Sequence, residues 1–221
     1  STEFILVVTN ERLARLNITD GVLTTIIELN LADGMRTNDA GVGPDNTLWF
    51  GTMEQKPSGL YGGVYCVSED GNIQKIDLTI GIPNTFLWNG ALQRFYISDS
   101  YIQKMYSLQK CGSNWKMTTF YENKDTEATP DGGCFGQNGI IYNAQWDGAC
   151  IQTISDDGAM QEKIELPVLK PTNCCIVTSD CSTLFVTTAR EGITLEEIEK
   201  YPLSGQLLRV DLSENLKVEK Q

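Results

Sequence analysis

Three short polar stretches carry the residue types that could do chemistry: "RTND" at 36–39, "IPNTFLW" at 82–88 and "TPDGGCF" at 129–135. Their Asn38, Asn84 and Asp131 stand 46 and 47 residues apart. A carboxylate with amide oxygens makes a hard donor set suited to Ca²⁺, Mg²⁺ or Mn²⁺. Such a cation can polarise a carbonyl while the carboxylate orients or deprotonates a water. Arg36 can hold a substrate hydroxyl, a carboxylate or developing negative charge. One Asp and two neutral amides make a weak site. A second carboxylate is wanted, and the repeats do not obviously supply one. The fourth equivalent is "LKPTNCC", where Thr172 and Asn173 fall in the same layer. The competing reading is that Asn and Asp after Pro cap turns through local backbone bonds.

The rest of the composition narrows the chemistry. The 221 residues include no histidine, which removes Ser-His-Asp, Cys-His and His-zinc mechanisms together. A formal charge of -12, with no basic stripe, excludes general attraction to a nucleic-acid backbone. No run reaches membrane-spanning length, and the start "STEFILVVTNERLARLN" has no signal-peptide pattern. Seven cysteines without CxxC spacing predict free, mostly buried thiols in a reducing, cytoplasmic compartment.

Elements that could bring the three stretches together are legible as repeats. The runs "FILVVT", "TLWFGT", "RFYISD", "GIIYNA" and "TLFVTT" start roughly 40 to 50 residues apart. Each precedes a second alternating strand: "RLARLNI", "GGVYCVS", "IQKMYSL", "ACIQTIS" and "QLLRVDL". This period predicts an all-β chain folded as a β-propeller, with five blade repeats visible. A β-sandwich is the alternative. "SEDGN" and "SDDGA" read as hairpin turns, and residues 191–204 as a polar excursion with a helical turn on the rim. Innermost strands deliver their ends to one mouth of the channel, where the polar stretches would converge.

The passages "RTNDAGVGPDNTLWFGTM", "PNTFLWNGALQRFYISDS", "TPDGGCFGQNGIIYNAQWDGACIQTI" and "IELPVLKPTNCCIVTSDCSTLFVTTARE" together resemble the SMP-30/gluconolactonase/luciferin-regenerating-enzyme family, and most closely its regucalcin-like members. The resemblance implies a six-bladed β-propeller with one divalent cation (Ca²⁺, Mn²⁺, Mg²⁺ or Zn²⁺) at the channel mouth. It implies hydrolysis of a small-molecule sugar lactone by water attack on the lactone carbonyl. Asn84 would be a metal ligand, Asp131 both a ligand and the base or water-orienting group, and Arg36 and Asn38 substrate contacts. Glu54, in "EQKPSG", is an acidic substrate-facing candidate, with a solvated hairpin end as its bland reading.

The chain departs from the family pattern in three places. No passage matches the Glu-Gly-Pro-like motif that carries a Glu ligand in the family's first blade. The visible start resembles the second blade, so residues 1–221 are expected to be a single propeller domain that is N-terminally incomplete. An exposed blade face would then invite self-association. Thr85 stands where the family has Gly, and disfavours a positive φ beside Asn84. Ala40 and Gly43 replace residues of an Asn-Asp-Gly-Lys pattern. Two further functions follow: a non-catalytic calcium-binding or regulatory propeller of the regucalcin type, and an interaction scaffold that has lost the metal site. Cys134, Cys174 and Cys175 read as structural, since adjacent cysteines on a strand face opposite ways. Trp49, Trp88 and Trp146 read as inter-blade packing, and Asp99 as a blade-fixing acceptor.

Overall fold

A computed structural model describes residues 3–68, 70–124, 126–177 and 181–213 and the backbone of 217–220, with the side chain at 138 left aside. The chain is all-β and forms five successive antiparallel sheets in a propeller arrangement. The first has three strands, β1 (Phe4–Val8), β2 (Arg12–Asn17) and β3 (Leu23–Glu28). Each later sheet has four. The second holds β4 (Met35–Val42), β5 (Leu48–Glu54), β6 (Gly63–Val67) and β7 (Ile73–Ile76). The third holds β8 (Pro83–Asn89), β9 (Arg94–Asp99), β10 (Lys104–Cys111) and β11 (Asn114–Glu122). The fourth holds β12 (Thr129–Phe135), β13 (Ile141–Trp146), β14 (Cys150–Ile154) and β15 (Met160–Glu165). The fifth holds β16 (Lys170–Ile176), β17 (Thr183–Ala189), β18 (Leu208–Asp211) and β19 (Lys217–Lys220).

The paired runs read from the sequence are the two middle strands of each four-stranded sheet. Their near-continuous apolar character has a simple cause: a middle strand is covered on both faces by neighbouring sheets. Thus β9 is buried from Phe95 to Asp99 and β14 along its whole length. Outer strands such as β3 and β15 are mostly exposed. Large side chains wedge between the sheets. Trp49, Ile80, Phe86 and Phe95 lock the second to the third. Tyr96, Met105, Ile141 and Ile154 join the third and fourth, and Ile151, Leu184 and Val210 the fourth and fifth. Each such side chain contributes roughly 1.5–3 kcal/mol on burial. Leu13, Phe50 and Val67 join the first sheet to the second. Among the described residues, no buried cluster joins the fifth sheet to the first.

Several local readings hold. The Asp-Gly turns are closed by Gly71 and Gly158 at φ 83° and 88°, and Asp157 accepts from the Ala159 amide at 3.0 Å. Residues 191–204 contain one short helix, α1 (Leu195–Lys200), with a Thr194/Glu197 capping box. Asp99 is fully buried and accepts from the amides of Gly81, Ile82 and Tyr101 at 2.8, 2.9 and 3.1 Å. No helix among the described residues is long and apolar enough to cross a membrane.

Candidate functional site

The polar stretches are not turns before a strand. They are themselves the innermost strands β4, β8, β12 and β16, which pack side by side across neighbouring sheets. Each is interrupted at the same height by a bulge, after Thr37, Asn84, Pro130 and Pro171. A bulge breaks the two-residue alternation and re-aims side chains toward the mouth. It also corrects the simple 46-residue equivalence. By register Asn38 matches Thr85 and Asp131, while Asn84 sits one position earlier, level with Thr37 and Pro130.

Asn38 and Asn84 nevertheless meet. The Asn38 amide donates to Asn84 Oδ1 at 2.8 Å and to the Pro83 carbonyl at 3.0 Å. Arg36 donates to Asn38 Oδ1 at 3.0 Å and to the Thr37 carbonyl at 3.1 Å. The Asn84 amide donates to Ser100 Oγ at 2.8 Å, and that hydroxyl donates to the Pro130 carbonyl at 2.6 Å. These bonds stitch β4 to β8 and β8 to β12. Arg36, Asn38, Asn84, Ser100, Asp131 and Trp146 all line one mouth cavity of about 470 Å³.

The carboxylate that acts on Asp131 is Asp39, which is outside the cavity lining, where the other acidic residues are Asp147 and Glu191. It accepts from the Thr85 amide of the neighbouring inner strand at 2.9 Å and from the Ala40 amide at 2.9 Å. Strand alternation would turn it away from Asn38, so only the bulge makes it part of this layer. Its carboxyl is pushed above the usual range by burial, partly offset by the backbone amides of Ala40, Thr85 and Phe86. Asp131 is raised to about 7, chiefly by burial and then by the charge of Asp39, with the Gly132 amide and Arg36 opposing. Two carboxylates near one another, poorly solvated, hold a proton at neutral pH unless a cation takes its place.

Thr85 does adopt a positive φ, 56°, although its side chain is β-branched. Its hydroxyl compensates by donating to the Asp131 carbonyl and accepting from Ser98 Oγ at 2.7 Å and from the Asn143 amide at 2.9 Å. Glu54 is placed differently from the mouth residues. Its carboxylate accepts from the Ser58 amide at 2.8 Å and from the Ser58 hydroxyl, while Met53 and Gln55 on either side line the cavity. Asn173 does not donate into the cavity lining; its side chain abuts Gly132, where an added Cβ would lie 2.3 Å from Asn173 Cγ. Thr172 pairs with Thr187 at 2.7 Å. Trp49 is core, and Trp146 packs under the neighbouring sheet's Lys170, whose Nζ sits 4.7 Å over its ring and 3.4 Å from Asp147.

The donor chemistry of the mouth is all oxygen. Asp131 and Asn84 fit a hard cation, whereas zinc's preferred imidazole and thiolate ligands do not line the cavity. The set is sparse. Among the described residues no group of three or more His, Cys, Asp or Glu is placed to hold a metal ion.

Comparison with known proteins now bears on this geometry. The family model described as SMP-30/Gluconolactonase/LRE-like region matches residues 2–190. Pentonolactonase XacC of Haloferax volcanii is 27% identical over 185 residues, covering 80% of this chain but 63% of the relative. The chain therefore spans less than two thirds of that protein's length. Regucalcin of Gallus gallus is 28% identical over 210 residues, covering 90% of this chain and 70% of its own. Among solved structures, the calcium-binding regucalcin of Agrobacterium tumefaciens superposes with a TM-score of 0.87 at 25% identity, over 100% of this chain and 75% of that one. The layered inner strands, the mouth cavity and the matched family model agree, and the chain belongs to the SMP-30/gluconolactonase/LRE-like family.

Proposed function

We propose that the channel mouth of this chain binds a divalent cation of the Ca²⁺, Mg²⁺ or Mn²⁺ type and a small sugar lactone or sugar acid, as a regucalcin-like binding propeller that does not by itself complete turnover. The observation that carries this is the convergence of Arg36, Asn38, Asn84 and Asp131 on one cavity whose acidic residues, among those described, do not group as a three-carboxylate metal site. Asn84 Oδ1 and the Asp131 carboxylate would hold the cation. When bound, it would supply polarisation of a lactone carbonyl. Arg36 is the group suited to substrate oxygens, and Asn38, whose amide hydrogens go to Asn84 Oδ1 and the Pro83 carbonyl, would reach a substrate only by exchanging one of those bonds. Glu54 remains a candidate contact only for a substrate reaching the 54–58 turn. Seven cysteines without CxxC spacing support a reducing, cytoplasmic setting, and the apolar surface of the first sheet supports self-association.

Metal-dependent lactone hydrolysis is the second reading. It is favoured by Asp131, whose carboxyl titrates near neutrality and so suits a general base or water-orienting group. In that role its carboxylate would take a proton from the attacking water while Arg36 faced the developing oxyanion. Calorimetric Ca²⁺ titration, run beside a glucono-δ-lactone hydrolysis assay, separates the two. The binding reading expects a dissociation constant on the order of 10⁻⁴–10⁻³ M, as for weak oxygen-ligand sites. Asp131→Asn should weaken it at least about tenfold, the effect of losing one charged ligand interaction of ~1.4 kcal/mol. Lactone turnover that needs metal and disappears in Asp131→Asn would establish the hydrolase reading instead. Absence of any cation response would leave the interaction scaffold.

A further inference from the structure

Cys134 and Cys174 lie on the inner strands of two neighbouring sheets, three residues after Asp131 and one after Asn173. Their sulfurs are 3.9 Å apart, although β12 and β16 belong to different sheets. The approach is built into the strands. Gly132 has no side chain, and Asn173 fills the space a Cβ would occupy, so the two backbones come close just before the cysteines. Cys174 is buried and Cys134 partly accessible. Cys175 is exposed on the opposite face of β16, so it does not compete for the same partner.

We propose that Cys134 and Cys174 form an oxidation site at which a hydroperoxide closes a disulfide across the two sheets. The Cys134 thiolate attacks a peroxide oxygen, the O–O bond breaks, and the displaced hydroxide leaves as water after taking a proton. Cys134 is then a sulfenic acid. The Cys174 sulfur attacks the Cys134 sulfur, the S–O bond breaks, and a second water leaves. Two thiols lose two electrons and the peroxide gains them. The assignment of the attacking thiol follows from access and from hydrogen bonding. The Cys174 S–H has the Cys134 sulfur within reach and the Tyr142 carbonyl at 3.3 Å. The sulfur–sulfur contact holds Cys134 below its usual range, while Cys174 is pushed up by its partner and by burial. A thiolate in front and a buried resolving thiol behind it is the arrangement that favours a disulfide over further oxidation.

The resulting bond would close a loop between residues 40 apart in sequence. It would also pin the inner strand that carries Asp131 to its neighbour.

The test is mild treatment of the native chain with hydrogen peroxide, alkylation of remaining thiols and peptide mapping. Two of the seven thiols should be lost, with the Cys134 and Cys174 peptides joined and about 2 Da lighter than the two thiol peptides together. Dithiothreitol should restore both, and the oxidised chain should melt about 5–10 °C higher, as expected for closing a loop of this size. Cys175→Ser should retain the cross-link, while Cys134→Ser and Cys174→Ser should each lose it. The wild-type map decides the matter even if a core serine impairs folding. All seven thiols surviving, a bond through Cys175, or sulfinic acid at Cys134 beside an unmodified Cys174 would each overturn the proposal.

Discussion

Asp131 and Asp39 sit in the same poorly solvated layer, and their charges oppose one another. The folded state therefore binds the Asp131 proton more tightly than the unfolded chain, whose carboxyl has the ordinary value of 3.8 against about 7 in the fold. With the folded pKa raised, the stabilising contribution is fully present below the unfolded value and is lost as pH rises through the folded one. Stability from this group should thus fall between about pH 4 and pH 7. Asp131→Asn should flatten that slope and stabilise the cation-free chain at pH 8 by about 1–2 kcal/mol, raising its melting point by roughly 2–4 °C per kcal/mol. Thermal melts from pH 4 to 8 check it. A mutant with an unchanged slope would remove Asp131 as the titrating group. Asp39→Asn should behave differently, because Asp39 also accepts backbone amides from Thr85 and Ala40, whose loss is destabilising.

The element that holds the site is the bulged inner strand. In β8 the bulge depends on Thr85, whose hydroxyl serves three partners in the third and fourth sheets. Behind it runs a buried amide chain: Asn123 donates to Gln145 at 2.6 Å, and Gln145 to Asn143 at 2.6 Å. Removing the hydroxyl at constant shape should take the acceptor from the buried Ser98 hydroxyl and one bond each from the Asn143 amide and the Asp131 carbonyl, which keep their bond to each other at 3.1 Å. Thr85→Val is accordingly expected to cost about 1–3 kcal/mol in urea denaturation, whereas Thr85→Ser, which keeps the oxygen and drops the branch, should lie within about 1 kcal/mol of the parent. Equal losses in the two variants would show that the branch, and not the hydroxyl, sustains the bulge. This is also where the sequence misled. Thr in place of Gly argues against positive φ, and only cross-strand bonds unavailable to a local reading make φ 56° tolerable there.

At the scale of the molecule, four apolar interfaces bind five sheets in series. The first sheet is different. It has three strands, and Phe4, Ile5, Leu6, Ile18, Leu23 and Ile26 are all exposed on it. Successive residues of β1 point to opposite faces, so apolar side chains are exposed on both sides of this sheet, and such surface promotes association in water. This chain is expected to self-associate through the first sheet, and the double variant Leu6→Lys, Ile18→Lys should weaken that association by at least about tenfold, since burying each such side chain is worth roughly 1.5–3 kcal/mol. Sedimentation velocity across a concentration series measures it. An unchanged distribution of species would place the contact elsewhere.

The sequence by itself determined the all-β class, the repeat period and the middle strands, because a strand covered on both faces must be apolar along its length. It also pointed to Arg36, Asn38, Asn84 and Asp131 as neighbours at one mouth, although the equal spacing of Asn38 and Asn84 is not equal register: Asn84 lies one position earlier than Asn38 and Asp131. Tertiary structure alone decided three things. The polar stretches are strands whose backbone bonds are satisfied by sheet partners rather than by local turns. Asp39 joins the layer because a bulge overrides alternation. Cys134 and Cys174, far apart in the chain and on separate sheets, face one another at 3.9 Å because a glycine lets two inner strands close together. Each depends on contacts between repeats, and periodicity within one chain carries no record of how closely neighbouring sheets approach.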